Sequence, residues 1–385
     1  MVMETARRMK YFRKPAFADL KACTGPDPID FTLGSPDIAP EPSIMEAIQK
    51  AAGEPQNYKY AVTALPQLIQ AVQDWYHDRY STDLDPEEIC LLQGSQEALI
   101  NLPLVFCNPH DGILIPDPYY PVYEQAPRLA GADVLYMQLK PENHYLPDLE
   151  AISQEDRQKA KLILVSYPNN PTGAIAPDSF YEELIRFAKE NDILIIHDNA
   201  YSELVYDGQP GKSFLSFPGA LETGVELNSF SKTYGMAGAR LGVLAGNREA
   251  VSAYRELKRS LDYGIFLPVQ YGGIEALEHG GGSIPETRQE YEQRRNLMVA
   301  EFGKAGWHIP SCEATMFLWA PIPAGMTSEA FALRLAETAG VLVTPGSRFG
   351  PEGEGFVRIA MVQDAEKIRE AARRIADSGL FDSQS

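Results

Sequence analysis

Residues 161–199 read KLILVSYPNNPTGAIAPDSFYEELIRFAKENDILIIHDN. Two short apolar runs, KLILVSYP (161–168) and DILIIHDN (192–199), flank the longer stretch DSFYEELIRFAKEND (178–192). The runs are apolar at nearly every position. Strands made from them must be covered on both faces, as in a mostly parallel sheet packed between helices. The stretch between them carries apolar residues at helical spacing, and Asp178 is the expected N-cap. Strand, helix and strand together are the unit of an α/β protein.

Five more runs of the same kind extend the pattern: EICLLQG (88–94), DGILIPDP (111–118), ADVLYMQL (132–139), GVELNSFS (224–231) and RLGVLAGN (240–247). Helical stretches such as SQEALINLPLVF (95–106) separate them. The texture changes at GGGS (280–283). A long charged helix follows, then MFLWAPI (316–322), SEAFALRLAETAG (328–340), VLVTP (341–345), GFVRIAM (355–361) and a last helix. That alternation fits a smaller α+β domain. The expectation is a large domain of residues 46–282 and a small one built from 1–45 and 283–385, with the Pro-rich opening (24–42) wrapped onto the small domain or the cleft.

Bulk properties exclude several classes. The chain has 385 residues, 44% hydrophobic and 23% charged, which is ordinary globular composition. Cys23, Cys90, Cys107 and Cys312 are scattered without a CxxC, and read as buried apolar residues of a reducing compartment. The histidines are equally dispersed, so no metal site is expected. The net charge of −19 repels nucleic acid and serves solubility. The basic N-terminus lacks the apolar core of a secretory signal, and no run approaches the roughly 20 apolar residues of a membrane span. A soluble, cytoplasmic protein is expected. YDGQPGKS (206–213) has Tyr206 where a phosphate-binding loop needs its first glycine, and Gly350, Gly353 and Gly355 follow no strand, so neither makes a nucleotide site.

In open α/β sheets, ligands bind outside the carboxyl ends of the strands. Here those ends carry the unusual chemistry: Gly94-Ser95-Gln96, Asp117-Pro118-Tyr119-Tyr120, Asn169-Asn170-Pro171-Thr172-Gly173, Asp198-Asn199-Ala200-Tyr201 and Ser229-Phe230-Ser231-Lys232. Five polar ends in one sheet point to one composite site. The turn at Gly94 opens a helix and suits a phosphate. Ser229, Ser231 and Arg240 add hydroxyls and a guanidinium. Lys232 is positioned to attack a carbonyl. A phosphorylated ring aldehyde is pyridoxal phosphate, and Asp198 supplies an acid for its ring nitrogen.

These residues resemble the class I/II aminotransferases, pyridoxal-phosphate enzymes of fold type I. The motifs come in that family's order: LGSPD (33–37), KYA (59–61), GSQEAL (94–99), DPYYPVY (117–123), NNPTG (169–173), DNAY (198–201), SFSKTYGMAGARLG (229–242) and FVRIA (356–360). The resemblance implies Lys232 as the lysine that joins the aldehyde and shuttles the proton, with Asp198 under the ring nitrogen. It implies Tyr201 and Asn170 as donors to the ring's 3-oxygen, and Tyr120 stacked on the ring. Ser95, Gln96, Ser229, Ser231 and Arg240 would hold the phosphate, joined by Tyr60 of a neighbouring subunit in a homodimer with shared sites. Arg358, helped by the Gly34 backbone, would clamp the substrate's α-carboxylate. The stretch YAVTALPQLIQAV (60–72) departs from the pattern, with Ile69 where the family commonly has arginine. LDYGIFLPVQ (261–270) resembles the segment of alanine and LL-diaminopimelate aminotransferases. It implies such a donor, with 2-oxoglutarate or pyruvate as acceptor. Two other readings use the same site: a C–S lyase running β-elimination, and a non-catalytic cofactor-binding regulator. Regulators of that kind carry a DNA-binding domain first, whereas FTLGSPD begins at residue 31 and the charge is strongly negative.

Overall fold

All seven apolar runs become strands of one sheet in the computed structural model, which describes residues 3–12, 20, 23–25 and 27–381. In chain order the strands are β1 (Ile29–Asp30), β2 (Ile89–Leu92), β3 (Gly112–Asp117), β4 (Asp133–Gln138), β5 (Ala160–Val165) and β6 (Leu194–Asp198). They continue with β7 (Gly224–Ser229), β8 (Gly242–Gly246), β9 (Phe317–Pro321), β10 (Val341–Leu342), β11 (Thr344–Pro345) and β12 (Phe356–Ala360).

The large sheet has the order β2-β8-β7-β6-β5-β3-β4. All its pairings are parallel except those of β8, which runs against both β2 and β7. β2 therefore points the same way as β7. The carboxyl ends of β2, β3, β5, β6 and β7 share one edge, and the start of β8, just after Arg240, joins them there. Strand residues alternate between two cores, one on each face. Leu162 and Leu164 pack into one, Ile163 and Val165 into the other. Burying each such side chain contributes about 1.5–3 kcal/mol.

β11, β12 and β9 form a separate antiparallel sheet. It shares a third core with residues of the helices Ser283–Lys304, Ser328–Ala339 and Ala365–Asp377. The Pro-rich opening reaches this unit: β1 pairs in parallel with β10, with Ile29 opposite Val341.

Two local expectations are corrected. Pro177, in extended backbone, takes the N-cap place of the helix Asp178–Asn191. Asp178 stands in its first turn and pairs with Lys212 instead. Of the cysteines, Cys90 and Cys312 are buried and Cys107 is half-buried, but Cys23 is exposed, outside any apolar core.

Candidate active site

At the shared strand edge lies a cavity of about 820 Å³, walled by both sheets and by the segment after β1. Gly34, Ser95, Gln96, Tyr120, Asn170, Asp198, Tyr201, Ser229, Ser231, Lys232, Arg240 and Arg358 all line it. Tyr60 does not. It is 79% exposed and packs on Tyr263, ring centroids 4.8 Å apart.

Glycine is required at position 94. Its φ is +77°, and an added Cβ would sit 2.1 Å from the Arg240 guanidinium. The helix Ser95–Phe106 starts at once, so its first backbone N–H groups open into the cavity beside Arg240. Arg240 itself has left-handed backbone, and its guanidinium donates to Ala237 O (3.0 Å) and Gln93 O (3.3 Å). Across the sheet, Ser229 closes β7 and caps the short helix Phe230–Thr233, its Oγ accepting from Ser231 N at 3.2 Å. A cluster of N–H donors, hydroxyls and one guanidinium fits a phosphate.

Lys232 rides on that short helix. Its Nζ donates to Gly34 O at 2.5 Å and lies 5.9 Å from the centre of the Tyr201 ring. Burial, then the charges of Arg358 and Arg240, push its amine down to about 8. A lysine so placed holds far more of its free, nucleophilic amine near neutral pH than an ordinary lysine does.

Asp198 ends β6 with its carboxylate buried. Oδ2 accepts from Tyr123 Oη at 2.7 Å, and Oδ1 from Ala200 N at 3.3 Å. Burial raises its pKa, which is the cost of a carboxylate that forms no ion pair among the described residues. A protonated ring nitrogen would relieve that cost. Tyr123, which also lines the cavity, has no role in the motif-based expectation. The only signal was its place three residues after Tyr120, one helical turn along. Tyr120 donates to Gln96 Oε1 at 3.1 Å and meets Tyr123 edge-on at 5.7 Å.

Arg358, on β12, is 7% exposed. Its guanidinium is held between the rings of Phe317 and Phe349, 4.1 and 4.7 Å from their centres. It donates to Asn170 Oδ1 (3.1 Å) and Thr32 O (3.3 Å), while its buried Nε has no acceptor. No carboxylate pairs with it among the described residues. Burial pushes its pKa down to about 10. A buried cation kept without a counter-ion is costly unless a ligand supplies one. Gly34 leaves room beside it: an added Cβ would lie 3.7 Å from Nη2.

The donor set therefore fits pyridoxal phosphate: a phosphate cradle, a depressed lysine amine and a buried acid. Arg358 is left over for a carboxylate.

Comparison with known proteins agrees. The profile of the family described as "Aminotransferase class I and II" matches residues 26–375. The chain is 40% identical over 381 residues to a protein of Moorella thermoacetica named LL-diaminopimelate aminotransferase, covering 97% of this chain and 98% of that one. A Desulforudis audaxviator protein of the same name is 42% identical over 360 residues, covering 93% and 92%. Among solved structures, substrate-bound BacF from Bacillus subtilis superposes with a TM-score of 0.93 at 35% identity, covering 97% of this chain and 98% of that one. A probable N-succinyldiaminopimelate aminotransferase from Thermus thermophilus gives 0.88 at 36%, covering 94% and 100%.

Proposed function

This chain belongs to the class I and II aminotransferases, and from that premise we propose that its donor is LL-diaminopimelate or a similar amino acid and its acceptor 2-oxoglutarate or pyruvate. The segment LDYGIFLPVQ and the names of the relatives at about 40% identity support this donor. The observation that carries the site assignment is Arg358, a buried guanidinium with no carboxylate partner among the described residues, lining the same cavity as Lys232. It is placed to take the α-carboxylate common to amino and 2-oxo acids, with the Gly34 backbone beside it.

Pyridoxal phosphate supplies, when bound, an aldehyde that takes up the amino group and a ring that accepts the electron pair left as the Cα proton departs. The remaining work falls to side chains. Lys232 Nζ removes that proton and returns it, which requires a neutral amine. The Asp198 carboxylate holds a proton on the ring nitrogen, and Tyr123 orients the carboxylate. Tyr201 and Asn170 would donate to the ring's 3-oxygen, and Tyr120 would hold the ring. Ser95, Gln96, Ser229, Ser231 and Arg240 anchor the phosphate.

The same reading makes the protein a cytoplasmic homodimer. Tyr58, Tyr60, Val62, Tyr263 and Phe266 are exposed close to one another, an apolar patch that a second copy would cover. In that dimer Tyr60 reaches the neighbour's phosphate. Among the described residues, no helix is long and apolar enough to cross a membrane.

The test is a half-reaction screen. Each candidate amino acid is added to holoenzyme, and absorbance reports conversion of the aldehyde form of the cofactor to the amine form. LL-diaminopimelate should convert it. Conversion by none of the panel would refute the donor class. Borohydride reduction followed by digestion should tag the peptide holding Lys232, and a tag on another amine would refute the site.

A further inference from the structure

The segment Thr32–Asp37 crosses the cavity as a strap, and its backbone serves both key cations. Thr32 O accepts from Arg358 and Gly34 O from Lys232. The strap has little side-chain burial of its own, since Leu33, Gly34 and Ser35 are all exposed. Its position is set at its two ends. The near end is fixed by backbone pairing: Phe31 N donates to Leu342 O (2.9 Å), and Ala360 N donates to Phe31 O (2.8 Å). The far end is held by an ion pair, next to Ile38, which packs against the third core. Arg294 Nη1, from the helix Ser283–Lys304, donates to Asp37 Oδ1 at 2.9 Å and Oδ2 at 2.8 Å.

That pair is built as a fixed point rather than a surface contact. The Arg294 side chain is 10% exposed, and Nη1 also donates to Met361 O at 3.0 Å, one residue beyond β12. Its Nε is taken by Glu290 at 2.8 Å, and Tyr291 Oη donates to Asp37 Oδ1 at 3.2 Å. With Arg294 nearly buried and held at Nε and Nη1, and Asp37 one-third exposed, such a pair holds a geometry better than a fully exposed pair would.

We infer that Asp37 and Arg294 are positioning residues for substrate carboxylate binding: they hold the Thr32–Gly34 backbone against Arg358, so that guanidinium and strap meet the carboxylate together. The inference rests on the carboxylate-clamp reading of Arg358. Neither residue lines the cavity, so their effect passes through the strap. Released from Asp37, the strap keeps the pairing at Phe31, the hydrogen bond from Thr32 N to Asp30 Oδ1 and the packing of Ile38 against the third core, but loses its ion-paired anchor between Gly34 and Ile38. Gly34 is then free to shift away from Arg358, while the phosphate cradle on the other sheet is untouched.

The experiment uses holoenzyme in the aldehyde form, to which 2-oxoglutarate binds without exchanging an amino group. Its dissociation constant is measured by calorimetry for wild type, Asp37→Asn, Arg294→Lys and the double variant. Each single variant should weaken 2-oxoglutarate about tenfold, and the double variant no more than the weaker-binding single one, as for two members of one interaction. Affinity for pyridoxal phosphate should stay within error of wild type, and thermal unfolding should remain one cooperative transition even where its midpoint falls, which a general loss of structure would not allow. Single variants that bind 2-oxoglutarate like wild type, or losses that simply add, would overturn the inference. So would equal losses for cofactor and 2-oxoglutarate. Wild-type holoenzyme that binds no 2-oxo acid at all would instead bring down the clamp reading beneath it.

Discussion

Lys232 illustrates how a residue acquires chemistry from its surroundings. An ordinary lysine is protonated at neutral pH. Here burial and two guanidinium groups bring its amine to about 8. The free amine is the form that captures an aldehyde, so uptake of pyridoxal phosphate by apoprotein should accelerate as pH rises through about 8. Stopped-flow absorbance would show this. The variant Arg358→Gln removes one of the two charges and should move the midpoint upward. A rate that is flat between pH 7 and 9 would contradict the assignment. The sequence named Lys232 because a lysine at a strand end is conspicuous among small residues. It did not give Tyr123 its partner, because a tyrosine among three in DPYYPVY reads equally well as core. Asp37 and Arg294 were invisible for another reason. They lie far apart in the chain and meet only when the opening segment folds onto the small unit.

At the scale of elements, the start of the helix Ser95–Phe106 depends on Gly94. Gly94→Ala places a methyl group against Arg240 and forces a backbone that alanine adopts at a cost. Affinity for pyridoxal phosphate should fall by at least about tenfold, measured by equilibrium titration, with the fold retained. Asp117, at the end of β3, gives a stability test. Its carboxyl is buried and pushed up to about 7, chiefly by burial. Oδ1 accepts from Glu352 N at 3.2 Å. Because this folded-state value lies above the unfolded one, the stabilisation is complete below about pH 4 and is lost as pH rises through about 7. Asp117→Asn cannot ionise. It should therefore gain on wild type by on the order of 1 kcal/mol or more at pH 8, and by much less at pH 5. Chemical denaturation at the two pH values checks this, and an equal difference at both would count against it. All seven strands of the large sheet were legible as apolar runs, since burial on both faces leaves a strong mark. The direction of β8 was not. An apolar run looks the same whichever way it points, and RLGVLAGN gives no sign that it runs against its neighbours. Yet that reversal is what delivers Arg240 to the shared edge.

For the whole molecule, the exposed rings of Tyr60 and Tyr263 carry the clearest consequence. If a second copy covers them, Tyr263→Asp should shift the protein to monomers in sedimentation experiments. It should also weaken pyridoxal phosphate about tenfold, through loss of the neighbour's Tyr60. Monomeric wild-type protein with intact cofactor affinity would refute the shared site. The cavity also draws on distant parts of one chain, with Gly34 near one end and Arg358 near the other. Because Ile29 pairs with Val341, the opening segment has no partner strand until the ribosome has passed that residue. At about 5–20 residues per second, this takes on the order of 15 to 60 s. For that interval the nascent protein carries Ile29 and Phe31 without their cover. The site is therefore incomplete until β12, which carries Arg358, has been translated.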